Sequence, residues 1–188
     1  MDNYPSIKMP LGASSLFKNK KYGWCYETEP EPNLNHRAIN WPRGKTIGGS
    51  SSINGMVYIR GQEEDYQKWE SEGNRGWGYQ ELMKDFISLE NNQNHADQHH
   101  GNFGPLWVET YQGSLEASKV FMNACHEYGL KNNLDFNGQE QEGYGRYQVH
   151  IKDGQRFSAA DGFLKPILHR PNLELMTNTT AIKIITRL

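Results

Sequence analysis

Residues 43–58 bring together the groups that a protein uses to hold an anion. The run contains glycines at positions 44, 48, 49 and 55, serines at 50–52 and the amide of Asn54. Glycine adopts positive φ and has no Cβ, so consecutive backbone amides can converge on a phosphate group. The serines are typical of a helix start and predict a helix from about Ile53, whose N-terminus favours negative charge. The run therefore predicts a site for an anionic cofactor.

The spacing by itself is also compatible with an ordinary tight turn that binds nothing. Residues 44–51 lack the terminal Gly-Lys-Ser/Thr of a P-loop. The chain also contains no G-x-G-x-x-G dinucleotide motif. On spacing alone, the cofactor site and the bare turn both stay open.

Motifs on either side of this run make the chain resemble one known family. Residues 48–61 read GGSSSINGMVYIRG, and WPRGK precedes them at 41–45. The other motifs, in chain order, are YGW at 22–24, ETEP at 27–30, Asp65-Tyr66 with Trp69, GN at 73–74 with GWGY at 76–79, DFNG at 135–138, QEG at 141–143, SAA at 158–160 and RPNL at 170–173. Together they resemble the glucose-methanol-choline (GMC) oxidoreductase family, nearest to its choline dehydrogenase and medium-chain alcohol dehydrogenase branch.

The resemblance implies a fold class, and it implies that the FAD-binding domain in this chain is incomplete. We expect a mixed α/β chain in which residues 1–188 form part of an FAD-binding domain. Family members begin with a Rossmann βαβ unit that grips the FAD pyrophosphate, and no such unit precedes Met1. Their catalytic histidine and most of the C-terminal substrate domain lie beyond the position of Leu188. We therefore expect an internal fragment and assign no catalytic residue within it.

The resemblance also places FAD along the glycine-rich run. The loop at 48–51 is expected to pass the pyrophosphate, while residues 54–57 line the flavin ring near its reactive N5 edge. The implied cofactor-binding residues are Arg43, Gly44, Gly48, Gly49, Ser50, Ser51, Asn54, Gly55, Met56, Val57 and, at the adenine, Ala181. Relatives that attach FAD covalently through this segment carry a histidine where this chain has Ile53, so non-covalent FAD is expected.

The activity implied by the resemblance is oxidation of a primary alcohol to an aldehyde, with hydride transfer to flavin N5. The alcohol would be choline-like or aliphatic, and a quinone is the expected electron acceptor. Two alternatives remain. The chain could come from a related oxidase or lyase, because fold and cofactor do not determine the reaction. It could also be a truncated remnant without catalytic activity.

Composition excludes several other classes. The formal net charge is −2, which gives no nucleic-acid signal. Cys25 and Cys125 are far apart and predict reduced thiols rather than a disulfide. The histidines at 91–101 lie in a polar, aperiodic tract that predicts an exposed loop without a functional metal. The expected location is the cytoplasm or a peripheral association with a membrane.

Regular elements alternate along the chain and must position these residues. Apolar periodicity predicts helices at 63–72, 79–90, 114–128 and 159–168, the third with an apolar face. Residue alternation predicts strands at 24–29, 106–111, 145–151, 173–176 and 181–185. Helices and strands are interleaved at about 79–155, while the glycine-rich run lies before them.

Overall fold

The computed structural model describes residues 4–113 and 115–186. It is a mixed α/β structure, in agreement with the expected fold class. The helices, α1 to α5 in chain order, are Pro5–Lys8, Ala13–Leu16, Glu63–Ser71, Tyr79–Leu89 and Glu116–Glu127. The strands, β1 to β8, are Tyr26–Glu27, Asn40–Trp41, Val57–Tyr58, Glu90–Asn92, Leu106–Thr110, Gln148–Val149, Ile151–Lys152 and Gln155–Arg156. Among the helices in these two ranges, none is both long enough and apolar enough to cross a bilayer.

A four-stranded sheet holds the C-terminal end of the glycine-rich run. Its order is β3, β6, β5, β4, with β4 parallel to β5 and the other two pairs antiparallel. Val57 pairs with Val149 and Tyr58 with Gln148. The predicted strand at 106–111 is confirmed as β5, whereas the one at 145–151 is divided into β6 and β7. The break falls at His150, whose N–H donates to the Met56 carbonyl at 2.8 Å.

A small antiparallel pair, β1 with β2, brings the chain back to the start of the glycine-rich run. Tyr26 pairs with Trp41 and Glu27 with Asn40. The predicted strand at 24–29 is therefore confirmed in a shorter form. Beyond this pair, an isolated bridge joins Gly23 to Gly44.

Helices α3 and α4 form where periodicity predicts them. At the start of α3, the Asp65 carboxylate accepts a hydrogen bond from the Gln62 N–H at 2.9 Å, which satisfies a donor that the helix leaves free. Tyr66 is buried and its ring centroid lies 5.8 Å from that of Phe86 on α4. Trp69 remains 45% exposed, so it does not join the core that its spacing with Tyr66 indicates.

Helix α5 is confirmed, but its apolar face is mostly uncovered. It begins at Glu116, and the predicted residue Ser114 lies outside the described residues. The chain leaves the helix through Gly129, at φ +89°. Val120 is 62% exposed and Phe121 68%, whereas Cys125 is buried. Cys25 and Cys125 are both free thiols.

The predictions for the C-terminal part are corrected by the structure. Helix 159–168 is a π-helix at Ala160–Leu164 followed by a 3₁₀ turn at Lys165–Ile167; Pro166 has no N–H and cannot continue a regular ladder. The strands predicted at 173–176 and 181–185 are wrong: within the described ranges, neither segment pairs with another strand. Ile182 is 96% exposed, so no neighbouring strand or apolar surface supports the alternation.

The exposed loop predicted for 91–101 is confirmed only in part: residues 93–94 and 96–98 are exposed, whereas Asn92 and His100 belong to a buried polar cluster. Glu90 is fully buried at the start of β4 and accepts from Arg60 Nη2 at 2.6 Å. Asn92 Nδ2 donates to Glu90 Oε1 at 2.9 Å. His100 Nδ1 lies 3.1 Å from both Glu90 oxygens, and its Nε2 lies 2.8 Å from Asp135 Oδ2. Glu90 thus draws Asn92 and His100 into the interior.

This cluster predicts a loss of stability in alkaline solution. Burial lowers the pKa of His100, but hydrogen bonds to Asp135 and Glu90 outweigh burial and raise the pKa from 6.5 to about 9. A raised folded-state pKa contributes stability that is complete below the unfolded value of 6.5 and is lost as pH rises through about 9. We expect the free energy of unfolding to fall by about 2 kcal/mol between pH 7 and pH 10.

Urea denaturation at several pH values checks this expectation. His100→Asn serves as the control, because the amide keeps hydrogen-bonding groups but does not titrate. Its unfolding free energy should be lower than that of the native protein at pH 7 and should change little up to pH 10. Equal alkaline losses in the two proteins would assign the effect to groups other than His100.

Candidate functional site: the glycine-rich loop

The loop at 43–58 is attached at its start to the segment that precedes it. The N–H of Trp24 donates to the Arg43 carbonyl at 2.9 Å, and the N–H of Lys45 donates to the Tyr22 carbonyl at 2.7 Å. Arg43 and Lys45 themselves are exposed. The Arg43 guanidinium lies 5.4 Å from the Trp41 ring centroid, and Lys45 Nζ lies 4.8 Å from that of Trp24. Two cations therefore flank the entrance of the loop.

Two adjacent glycines turn the chain inside the loop. Gly48 has φ +91° and Gly49 φ +57°, a region that glycine adopts without the cost that other residues incur. A Cβ at Gly48 would lie 2.4 Å from Ser52 Oγ, whereas a Cβ at Gly49 would meet nothing within 4 Å. Gly48 is therefore required by internal packing, and Gly49 leaves backbone open to a ligand.

The serines hold the loop together instead of starting a long helix. Ser50 Oγ accepts from the Gly44 N–H at 3.1 Å, and Ser51 Oγ donates to the Gly48 carbonyl at 2.6 Å. Ser51 Oγ also accepts from the N–H of Ala159 at 2.9 Å. Gly49–Ser52 forms one 3₁₀ turn, so the helix predicted from about Ile53 is wrong. The N-terminus of that helix therefore cannot contribute to anion binding.

The second half of the loop turns again before it enters β3. The amide oxygen of Asn54 accepts from the Met56 N–H at 3.0 Å, and Met56 has φ +63°. Met56 is buried, while Asn54, Gly55 and Val57 are exposed. A Cβ at Gly55 would meet nothing within 4 Å. Residues 54–57 therefore present one amide and open backbone beside an apolar surface.

Four of the predicted site residues border two cavities. Gly44 borders a groove of about 790 Å³ between residues 44–47 and residues 175–180. Gly55, Met56 and Val57 border a second cavity of about 670 Å³, which Phe121 and Tyr147 also line. The exposed residue Ala181 follows directly on the segment that borders the first groove. The loop thus connects two spaces, with Gly48, Gly49, Ser50 and Ser51 between its ends.

One buried residue supports the loop and was not predicted from the sequence. Arg156, on β8, is 2% exposed. Its Nη1 donates to the Ser51 carbonyl at 3.0 Å and to Asn54 Oδ1 at 2.9 Å, and its Nε donates to the Ile7 carbonyl at 2.9 Å. The hairpin turn at Asp153-Gly154 was the sequence signal that could have indicated a buried Arg156, because alternate residues of the strand that follows the turn face inward.

Open backbone, two flanking cations and a buried guanidinium therefore lie together at this loop. Comparison with protein families identifies the family to which the chain belongs. The family model described as GMC oxidoreductase matches residues 12–187. This chain belongs to the GMC oxidoreductase family.

Relatives of known name agree with this assignment. The chain is 47% identical over 185 residues to an alcohol dehydrogenase [acceptor] of Pseudomonas putida, which covers 98% of this chain and 34% of that protein. It is 41% identical over 172 residues to an oxygen-dependent choline dehydrogenase of Brucella anthropi, covering 92% of this chain and 31% of that protein. The chain therefore spans about a third of the length of these relatives.

Solved structures share the fold. Pyridoxine 4-oxidase from Mesorbium loti superimposes with a TM-score of 0.87 at 34% identity, over 93% of this chain and 35% of that one. An FAD-dependent oxidoreductase from Chaetomium thermophilum gives a TM-score of 0.74 at 26% identity, over 80% of this chain and 28% of that one. The arrangement of elements described above is therefore that of part of a GMC oxidoreductase.

Proposed function

We propose that this chain supplies part of the FAD site of an enzyme that oxidises a primary alcohol to an aldehyde. The observation that carries the proposal is the loop at 43–57, where Gly49 and Gly55 leave open backbone. The names of the relatives support an alcohol substrate, since one is an alcohol dehydrogenase and another a choline dehydrogenase. Which alcohol is oxidised depends on parts of the enzyme other than this loop.

The residues of the loop fit FAD. An extended dinucleotide needs a long contact surface with room for a pyrophosphate, and the loop joins a groove at Gly44 to a cavity at Val57. The pyrophosphate requires positive charge and close backbone. Arg43 and Lys45 provide the charge, while Gly49 provides backbone without a side chain in front of it.

Each part of the loop has a role in this proposal. Gly48, Gly49, Ser50 and Ser51 pass the pyrophosphate, Ala181 meets the adenine through its backbone, and residues 54–57 border the flavin ring. Bound FAD supplies the hydride acceptor. The chain itself binds and orients the cofactor, and the buried Met56 separates the ring from the strands behind it.

FAD is proposed to be held without a covalent bond. Ile53 occupies the loop position at which a covalent attachment would be made, and its side chain is 2% exposed and has no nucleophilic atom. The proposed electron acceptor of the enzyme is a quinone. A related oxidase is the second candidate, because a solved structure at 34% identity is named an oxidase.

The test uses the full-length product of the gene that contains this chain. After purification, anaerobic addition of short primary alcohols or of choline should bleach the absorbance of oxidised flavin. Acid precipitation should leave all of the FAD in the supernatant. Peroxide produced in air at the turnover rate would favour the oxidase, and a purified protein that takes up no FAD would support the inactive remnant.

A further inference from the structure

Arg156 is a buried cation, and no carboxylate within residues 4–113 and 115–186 forms a salt bridge with it. Burial lowers the pKa of its guanidinium. Its Nη1 and Nε donate to oxygens of Ser51, Asn54 and Ile7. Among the described residues, none accepts a hydrogen bond from its buried Nη2. A buried charge in this state is costly, and two of its three partners belong to the glycine-rich loop.

The contact with Asn54 determines which way that side chain faces. Asn54 Oδ1 accepts from Arg156 Nη1 at 2.9 Å and from the Met56 N–H at 3.0 Å. Both partners are donors, so the inward atom must be the oxygen and the amide nitrogen must lie on the other side. Asn54 is exposed, and its Nδ2 donates to no other residue within the described ranges.

We infer that Arg156 is a positioning residue, which fixes the Asn54 amide so that Nδ2 donates a hydrogen bond to the bound flavin ring. This inference rests on the proposed function, because it assumes that the ring lies beside residues 54–57. Beyond the proposed function, Asn54 Nδ2 is the hydrogen-bond donor to the ring, and Arg156 is the residue that orients this donor. In the same arrangement, the guanidinium places a fixed positive charge behind the amide.

A preorganised donor with a cation behind it stabilises the form of a ligand that carries more negative charge. Reduction adds electron density to the flavin ring, so the pair should bind reduced FAD more tightly than oxidised FAD. The midpoint potential of the bound flavin is therefore raised by Asn54 and Arg156. A residue that only stabilised the fold would not change this potential.

Asn54→Asp is the decisive variant. Its carboxylate keeps an acceptor for both Arg156 and the Met56 N–H, and it neutralises the buried guanidinium, so the loop should remain folded. The donor toward the ring is replaced by an anionic oxygen. We expect FAD affinity to fall by at least about tenfold and the flavin midpoint potential to become more negative, with no loss in the urea midpoint of the apoprotein.

Arg156→Met supplies the second arm, and Arg75→Met is the matched control. Arg75 is exposed on the turn after α3, so its loss removes the same charge away from the loop. In the full-length gene product, Arg156→Met should weaken FAD binding and lower the potential, whereas Arg75→Met should change neither. Arg156→Lys should recover only part of the effect, because one ammonium does not reproduce the guanidinium fork.

The outcomes separate this inference from the proposed function. If the native protein binds FAD, and Asn54→Asp leaves both its affinity and its potential unchanged, the inference is overturned while the proposed function stands. If the native protein binds no FAD, both are overturned. A lower affinity with a more negative potential in Asn54→Asp supports the assignment, including the case in which Arg156→Met fails to fold.

Discussion

Glu90→Leu is expected to lower the free energy of unfolding by about 3–5 kcal/mol, the largest stability effect of any single change considered in this chain. Glu90 is fully buried and accepts hydrogen bonds from Arg60, Asn92 and the Gly101 N–H. Its carboxylate also faces the imidazole of His100. Leucine has a similar volume but leaves the Arg60 guanidinium buried without an anion. Urea denaturation followed by tryptophan fluorescence measures the change.

Glu116→Leu is the control for this substitution. Glu116 starts α5 with its side chain 80% exposed, and Lys119 is its one ion-pair partner in the part of the chain that the structure describes. Replacing it should change the unfolding free energy by no more than about 0.5 kcal/mol. Similar losses in both variants would show that Glu90 is not the centre of the buried polar cluster.

Gly49→Val is expected to reduce FAD affinity by about a hundredfold in the full-length gene product. Gly49 has φ +57°, and a β-branched side chain is strained in this region. The space over its Cβ position is open, so valine would project into the volume proposed for the cofactor. Titration with FAD, followed by quenching of flavin fluorescence, gives the affinity.

Gly129→Val is a closely matched control for the backbone strain. Gly129 follows α5 with φ +89°, and a Cβ there would also meet nothing within 4 Å. The substitution should destabilise the protein to a comparable extent but leave FAD affinity unchanged. If both variants lose FAD equally, the loss reflects general destabilisation and Gly49 has no special role.

The sequence predicts best the elements whose stability is local. Helices α3 and α4 both follow from periodicity, and α3 also has the cap that Asp65 supplies to the Gln62 N–H. The strand β5 follows from alternation. The assignment of the glycine-rich run to FAD stays a prediction. The need for glycine at position 48 is partly local, since a Cβ there would meet Ser52, and partly distant, since it would also meet Ser158 and Ala160.

The predictions that failed depend on distant partners. The serines at 50–52 have the composition of a helix start. Ser51 Oγ instead accepts a hydrogen bond from the N–H of Ala159, which is far away in sequence. The polar tract after Glu90 contains a buried imidazole because Asp135 and Glu90 both contact it. The segment at 181–185 alternates like a strand, yet no described strand pairs with it.

Arg156, within the site itself, is another residue whose contacts the sequence does not predict. Its sequence neighbours give no sign that it contacts Ser51 and Asn54, since these contacts join residues more than a hundred positions apart. The family resemblance assigns the loop to FAD, but it does not show what holds the loop from behind. That information comes from the folded chain.

The most direct test of the central claim is a crystal structure of the full-length gene product with FAD. We expect the pyrophosphate alongside Gly48–Ser51 and the flavin ring beside residues 54–57, within hydrogen-bonding distance of Asn54 Nδ2. FAD bound at another surface, with the loop at 43–57 free of contact, would contradict the account.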